Sequence, residues 1–264
     1  MLTIFKVVTA ALVASLAFSA AHANPLITTR DRQSAECLDR IHKRMRKLAL
    51  IQLDEHGRCH RQRMQGEVAA ANDCNDPAGV IDPGRIEYWV ARLIENSRVC
   101  NPYAAYPPVD QGFTSCPAPC AAIPVVDYTG VATCMACLTK LETSLAATTV
   151  FGTPPVPATR DQVTCQKRVV QAFARYFLER IESQKKCYLL QKYLRVDASV
   201  DCRDADLAGR SARALERLRA IVTKCSDADL GALDSCAAGV AGAQACLQAA
   251  ADLHSDALYD FLHP

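Results

Sequence analysis

Fourteen cysteines lie in this chain of 264 residues, and their spacing constrains the fold more than any other feature. Cys165 and Cys187 are 22 residues apart and enclose one helical pattern. Cys202 and Cys225 are 23 residues apart and enclose a second. Since 22 residues make about six helical turns, the two cysteines of one helix face the same neighbour. This arrangement is typical of an antiparallel helical hairpin that disulfides close at both ends.

The segments between these cysteines have the apolar period of amphipathic helices, and the second helix is predicted to begin near Asp204. In the first of these two helices, apolar residues recur about every three to four positions, at Val163, Val169, Val170, Phe173, Phe177, Ile181 and Leu189. Facing Cα atoms of packed helices are about 4–6 Å apart, a distance that a disulfide can span. Antiparallel order therefore predicts the pairs Cys187–Cys202 and Cys165–Cys225.

The same cysteine pattern occurs twice in the chain. At a constant offset of 128 residues, Cys37, Cys59 and Cys74 correspond to Cys165, Cys187 and Cys202. After a small insertion or deletion, Cys100, Cys116 and Cys137 correspond to Cys225, Cys236 and Cys246. Such self-similarity indicates a tandem duplication. By analogy with the second copy, the pairs Cys37–Cys100 and Cys59–Cys74 are predicted in the first.

Two cysteines of the first copy, Cys120 and Cys134, have no counterpart in the second. Their joint absence favours a bond between them, nested inside a second bond of the same loop. The other pairs predicted on this basis are Cys116–Cys137 and Cys236–Cys246. Seven bonds result, and no thiol is left over.

The first 23 residues have the features of a secretory signal peptide. Lys6 precedes an apolar run at 7–18, and Ala21-His22-Ala23 is a small-x-small cleavage site. The apolar run is too short for a membrane span, and no cysteine follows it closely enough for a lipid anchor. The sequence thus predicts a periplasmic or extracellular protein without a transmembrane segment. In that compartment an even number of cysteines forms disulfides.

Charge restricts the class of partner. Without Lys6 the chain has 29 basic and 28 acidic residues, so its net charge is +1. This balance disfavours nucleic acid or a polybasic membrane contact as the main partner. No nucleic-acid partner and no cofactor are predicted, and the expected partner is an unknown protein or a small apolar ligand.

Helical periodicity without strand alternation predicts an all-α fold of two tandem, disulfide-linked three-helix units. Besides the hairpin above, the predicted helices are 32–65, 83–100 after the N-cap Asp82, 131–147, and one from about Gly242. The predicted organisation is a signal peptide at 1–23, repeat 1 at 24–147, a Pro-rich linker at 148–159 and repeat 2 at 160–264.

The pattern C-x21-C-x14-C is followed by a further cysteine, a Cys-rich loop and an Ala/Leu helix that opens with Cys-Leu. It resembles a group of predicted secreted, Cys-rich helical proteins of environmental bacteria, which often carry the unit in tandem. The resemblance extends over nearly all of the mature chain. It implies an all-α fold and export, and it implies no functional residues because the group has no assigned activity.

A cysteine pair in the first Cys-rich loop suggests redox or metal chemistry. Cys134 and Cys137 have the CxxC spacing of a redox pair, near a helix N-terminus that would lower a thiol pKa. Together with Cys116 and Cys120 they have a spacing that would suit a tetrathiolate zinc site in cytosol. Export and the absence of a βαβ pattern favour structural disulfides, and the thiol-redox and zinc roles are alternatives.

A second candidate metal site lies near the end of the first helix. His56, His60 and Met64 follow one another at intervals of four residues, and such side chains can bind copper or zinc. Gly57 weakens the helix there, and the second copy has no histidines at these positions. The preferred interpretation is a solvated helix end.

The basic run His42–Lys47 could bind an anion or an acidic partner, but its apolar flanks favour the solvated face of an amphipathic helix. No motif of a serine hydrolase, zinc protease, phosphate-binding loop or haem attachment site occurs. The sequence therefore favours an exported, non-enzymatic structural or binding module. The alternatives are a carrier of small apolar ligands and a periplasmic copper, zinc or thiol-redox protein.

Overall fold

The computed structural model describes residues 29–104, 106–234, 236 and 239–263. The predicted signal peptide, 1–23, lies outside these residues. The described part is helical over most of its length and contains no strand, which confirms the all-α prediction. None of the helices described is long and apolar enough to cross a bilayer.

Two long helices, α1 and α5, organise the two halves of the chain. The helices are α1 (Thr29–Met64), α2 (Pro83–Arg98), α3 (Cys100–Tyr103), α4 (Tyr128–Phe151), α5 (Arg160–Lys192), α6 (Arg210–Val222), α7 (Asp227–Leu233) and α8 (Gly239–Leu262). A 3-10 turn lies at Pro108–Gln111. In the first half of the chain, from α1 to α4, α1 packs against α2 and α4. In the second half, from α5 to α8, α5 packs against α6 and α8.

Capping side chains set where several helices begin. The Asp82 carboxylate accepts a hydrogen bond from the Arg85 backbone N–H, as the predicted N-cap of α2 requires. Asp206 accepts hydrogen bonds from the backbone N–H groups of Arg210 and Ala212. Helix α6 begins at Arg210, after the N-cap Gly209, rather than near Asp204, and Asp206 binds backbone N–H groups of its first turn from outside the helix.

The start of the predicted linker at 148 is wrong, since 148–151 form the last turn of α4. The helix ends at Gly152, which has a φ of 54°. A Cβ at this position would lie 2.3 Å from the backbone oxygen of Asp234, so only glycine permits this approach of the two halves. Helix α7 was not predicted, because seven residues are too few for a clear apolar period.

Seven disulfides are present, and each joins cysteines of the same half. Four pairs are those predicted for the two helical hairpins, Cys37–Cys100, Cys59–Cys74, Cys165–Cys225 and Cys187–Cys202, and a fifth, Cys236–Cys246, is the pair predicted for the second Cys-rich loop. So many disulfides fit an oxidising, non-cytoplasmic environment.

The other two pairs correct the nested prediction. Cys116 is bonded to Cys134, and Cys120 is bonded to Cys137. Cys134 and Cys137 are three residues apart in α4, so their side chains lie on one face about one turn apart. The crossed pairing shows that 116–120 runs in the same direction as α4, whereas nested bonds require the opposite direction. Cysteine spacing alone does not specify the direction of a loop.

The two halves share one apolar core. Helix α1 packs against α5, and α4 packs against α8. Lys185 Nζ lies 3.4 Å from Asp39 Oδ1, and Arg46 donates a hydrogen bond of 3.2 Å to the Leu178 carbonyl. Since the residue number on α5 falls as that on α1 rises, these two helices are antiparallel.

Candidate ligand-binding site between α1 and α5

A partly enclosed cavity of about 340 Å³ lies in the groove between α1 and α5. This volume falls within the range of about 300–1,000 Å³ that is usual for small-molecule sites. Apolar side chains of both halves form much of its wall: Leu50, Leu53, Phe151, Val170, Ala174 and Leu178. The cavity therefore exists only where the two halves meet.

Small residues leave the space that becomes this cavity. Gly57 lies inside α1, where glycine costs about 1 kcal/mol relative to alanine. A Cβ at this position would lie 3.4 Å from Phe151 Cζ and 3.5 Å from Val170 Cγ1, within ordinary contact distance. On α5 the wall includes Ala174. Larger side chains at these two positions would fill the groove.

The rim of the cavity combines six charged side chains, of which four are basic: Arg46, Arg61, Lys167, Arg175, Asp54 and Glu179. Both carboxylates are paired with arginines outside the cavity. Asp54 Oδ2 lies 2.9 Å from Arg85 Nη1, and Glu179 Oε2 lies 2.9 Å from Arg210 Nε. The negative charge of the rim is thus already compensated, whereas much of its positive charge is not.

One buried polar group in the wall has an unmet hydrogen-bonding capacity. The Gln166 side chain lines the cavity and is only 4% exposed. Its amide nitrogen has no hydrogen-bond partner among the described residues. A buried donor without an acceptor costs free energy, so a ligand acceptor within hydrogen-bonding distance of this nitrogen would be stabilising.

A second cavity, of about 680 Å³, adjoins the first at the start of α5. The two share Arg61, Lys167 and Gln171. The other charged residues that line the second cavity are Arg160 and Arg168, so every charge there is positive. The groove therefore changes from an apolar region to a basic one along its length.

The predicted metal ligands His56, His60 and Met64 are all fully buried. The interpretation of this region as a solvated helix end is therefore wrong. His56 Nδ1–H donates a hydrogen bond of 2.6 Å to the Cys74 carbonyl, and His60 Nε2–H donates one of 2.8 Å to Asn75 Oδ1. These histidines attach α1 to the following loop, close to the Cys59–Cys74 disulfide.

Burial also keeps these histidines uncharged. It lowers the pKa of His56 and lowers that of His60 to about 4. The His60 ring stacks on Phe151 at 4.3 Å, and His56 Nε2 lies 3.4 Å from the Gln52 amide nitrogen. No group of three metal-binding side chains occurs in the part of the chain that the structure describes.

The CxxC cysteines are not bonded to each other. Cys134 and Cys137 are each bonded to a cysteine of the preceding loop, and no described cysteine is free. A thiolate for redox chemistry or for zinc would therefore require reduction of these two bonds.

The basic run His42–Lys47 is solvated only in part. His42 and Met45 are buried, and the basic side chains between and after them are exposed or half-buried. Burial, together with nearby Lys185 and Arg46, lowers the pKa of His42 to about 3. This histidine is consequently part of the neutral core.

The residues of the cavity were not found from the sequence, because they lie on separate helices whose packing the sequence pattern does not specify. Gly57 was the one available signal, and it indicated only a weak position in the helix. No protein family, curated protein or solved structure shows a significant match to this chain. The geometry of the cavity is therefore the basis on which a function can be proposed.

Proposed function

We propose that this chain is an exported binding protein that holds a small, mainly apolar ligand in the cavity between α1 and α5. The observation that carries the proposal is a space of about 340 Å³ whose wall combines apolar side chains of both halves with a charged rim and the buried amide of Gln166. A concave wall with apolar side chains and polar groups that converge on the same space is characteristic of small-molecule sites.

The proposal includes the tandem organisation predicted from the sequence, with one three-helix unit at 24–147 and a second at 160–264. The disulfides Cys37–Cys100 and Cys165–Cys225 have similar sequence separations, 63 and 60 residues. Those of the two hairpin turns, Cys59–Cys74 and Cys187–Cys202, both have a separation of 15. These matching separations support two copies of one unit. In this arrangement each unit contributes one wall of the cavity. Duplication of the unit would then be a requirement for binding.

Disulfides suit such a role because they hold the helices that frame the cavity. Cys165, next to Gln166, is bonded to Cys225, and Cys59, two residues from both Gly57 and Arg61, is bonded to Cys74. Closely packed interiors leave few voids, and cross-links would restrict the relaxation that closes one.

An apolar fluorescent dye should bind the protein with one-to-one saturation and without a change in circular dichroism. The substitution Ala174→Phe places a ring in the cavity, so the dissociation constant should rise at least about tenfold, equivalent to about 1.4 kcal/mol. The matched control is Ala91→Phe, at an exposed position on α2 outside the cavity. Dye titration by fluorescence measures both effects.

A structural module without a ligand makes a different prediction. It would show no saturable dye binding, or equal losses in Ala174→Phe and Ala91→Phe. Either result would contradict the proposed function. Native mass spectrometry of the protein purified from its own host should also detect a co-purified small molecule.

A further inference from the structure

We infer that the ligand is a single-chain amphiphile with an anionic head group, which the Arg61–Lys167 end of the groove binds. The inference rests on the proposed function, since it specifies the chemistry of the molecule in the same cavity. It depends on the distribution of charge along the groove, on the ion pairs already present, and on the buried amide of Gln166.

The groove has two chemically different ends because α1 and α5 are antiparallel. Arg61, near the end of α1, and Lys167, near the start of α5, both line the cavity at one end. At the other end lie Arg46 and Leu178, with the carboxylate of Glu179. An elongated ligand would therefore have one preferred orientation.

Existing contacts show which cations are available to a ligand. Arg46 donates a hydrogen bond to the Leu178 carbonyl and lies 3.9 Å from Glu182. By contrast, neither Arg61 nor Lys167 lies within ion-pair distance of any carboxylate in the residues described, and at the other end only Arg175 is equally unpaired. The positive charge at this end is consequently free to interact with an anion.

The donor set at this end fits a carboxylate or a phosphate monoester. A guanidinium presents paired N–H donors that match the oxygens of either group, and charge-assisted hydrogen bonds are among the strongest in proteins. The buried Gln166 amide nitrogen, one residue from Lys167, supplies a further donor without a partner. A bound oxyanion would compensate both charges, and a ligand oxygen within hydrogen-bonding distance of the Gln166 amide nitrogen would satisfy that donor.

The adjoining basic cavity supports the same orientation. It continues from Arg61 and Lys167 toward Arg160 and Arg168, and no carboxylate lines it. Electrostatic attraction would draw an anionic head group to this end, and the apolar chain would extend over Val170 toward Leu50. A cationic or neutral amphiphile gains nothing from these charges.

The test compares ligands that share a ten-carbon chain and differ in head group: decanoate, decyl phosphate and decanol. Isothermal titration and displacement of the apolar dye at pH 7.5 should show that an anionic ligand binds at least about tenfold more tightly than decanol. The anionic ligand whose affinity exceeds that of decanol by the larger factor identifies the head group as a carboxylate or a phosphate. The advantage should decrease as the salt concentration rises.

The charge variant Arg61→Gln, Lys167→Gln should abolish the advantage of the anionic ligands over decanol. The matched control is Arg98→Gln, Lys186→Gln, which removes two cations outside both cavities. Equal affinities for all three ligands, or an unchanged charge variant, would overturn the anionic head group while leaving the proposed cavity in place. Absence of binding by all three ligands and by the dye would overturn both proposals.

Discussion

Acidification from pH 7 to pH 4.5 should lower the free energy of unfolding by on the order of 5 kcal/mol. Burial holds the pKa of His42 at about 3 and that of His60 at about 4, against 6.5 for an unperturbed side chain. Below pH 6.5 the unfolded chain takes up protons at these histidines, whereas the folded protein does not until the pH approaches 4. Stability is therefore fully present above pH 6.5 and is lost as the pH falls.

The surroundings of both rings support this sign. His42 faces the cations Lys185 and Arg46, which disfavour its protonation, and Asp39 and Glu182 compensate Lys185. Arg63 disfavours protonation of His60, whereas Asp73 and the hydrogen bond to Asn75 favour it. Burial is the largest influence and lowers the pKa. Burial also lowers the pKa values of His56 and His263. These two histidines therefore contribute to the same loss of stability as the pH falls.

Urea unfolding at several pH values between 7 and 4.5 measures the effect. The substitution His42→Phe removes one proton uptake, so the slope of stability against pH should decrease by about 1.4 kcal/mol per pH unit below pH 6. A free energy of unfolding that stays constant over this range would contradict the neutral, buried state of these histidines.

Removing the Cys37–Cys100 disulfide should cost about 4 kcal/mol, and removing Cys59–Cys74 should cost about 3 kcal/mol. The first bond closes a loop of 63 residues and the second a loop of 15. The longer loop restricts the unfolded chain more, so its loss releases more conformational entropy. All four cysteines are fully buried, so the double alanine variants leave comparable spaces in the core.

Guanidinium unfolding of the two double variants beside the parent protein measures these losses. Removal of Cys165–Cys225, which closes a loop of 60 residues, should cost as much as removal of Cys37–Cys100. Equal losses for the 63- and 15-residue loops would show that native-state contacts, rather than chain entropy, dominate.

Local information in the sequence was sufficient for the existence of the long helices and for the hairpin disulfides. A three-to-four-residue apolar period and capping residues such as Asp82 act within a few residues of chain. The pair Cys187–Cys202 follows from the same local order, because two antiparallel helices joined by a short turn bring only certain positions together. The all-α class required nothing beyond these patterns.

Pairing within the first Cys-rich loop needed more than spacing. The bonds Cys116–Cys134 and Cys120–Cys137 depend on the direction in which a loop crosses α4, and both directions bring sulfurs within reach of the helix. Likewise, the burial of His56 and His60 depends on the loop that covers them and on Phe151. A polar side chain is exposed or buried according to its neighbours, which the local pattern does not contain.

The sequence by itself determined a disulfide-linked helical chain, but only the tertiary structure decided where a ligand could bind. Gly57 and Phe151 come from one half of the chain, and Gln166 and Lys167 come from the other. These residues meet because α1 packs antiparallel to α5, and that packing depends on the summed fit of many side chains across the shared core. No single spacing or motif in the sequence records that fit.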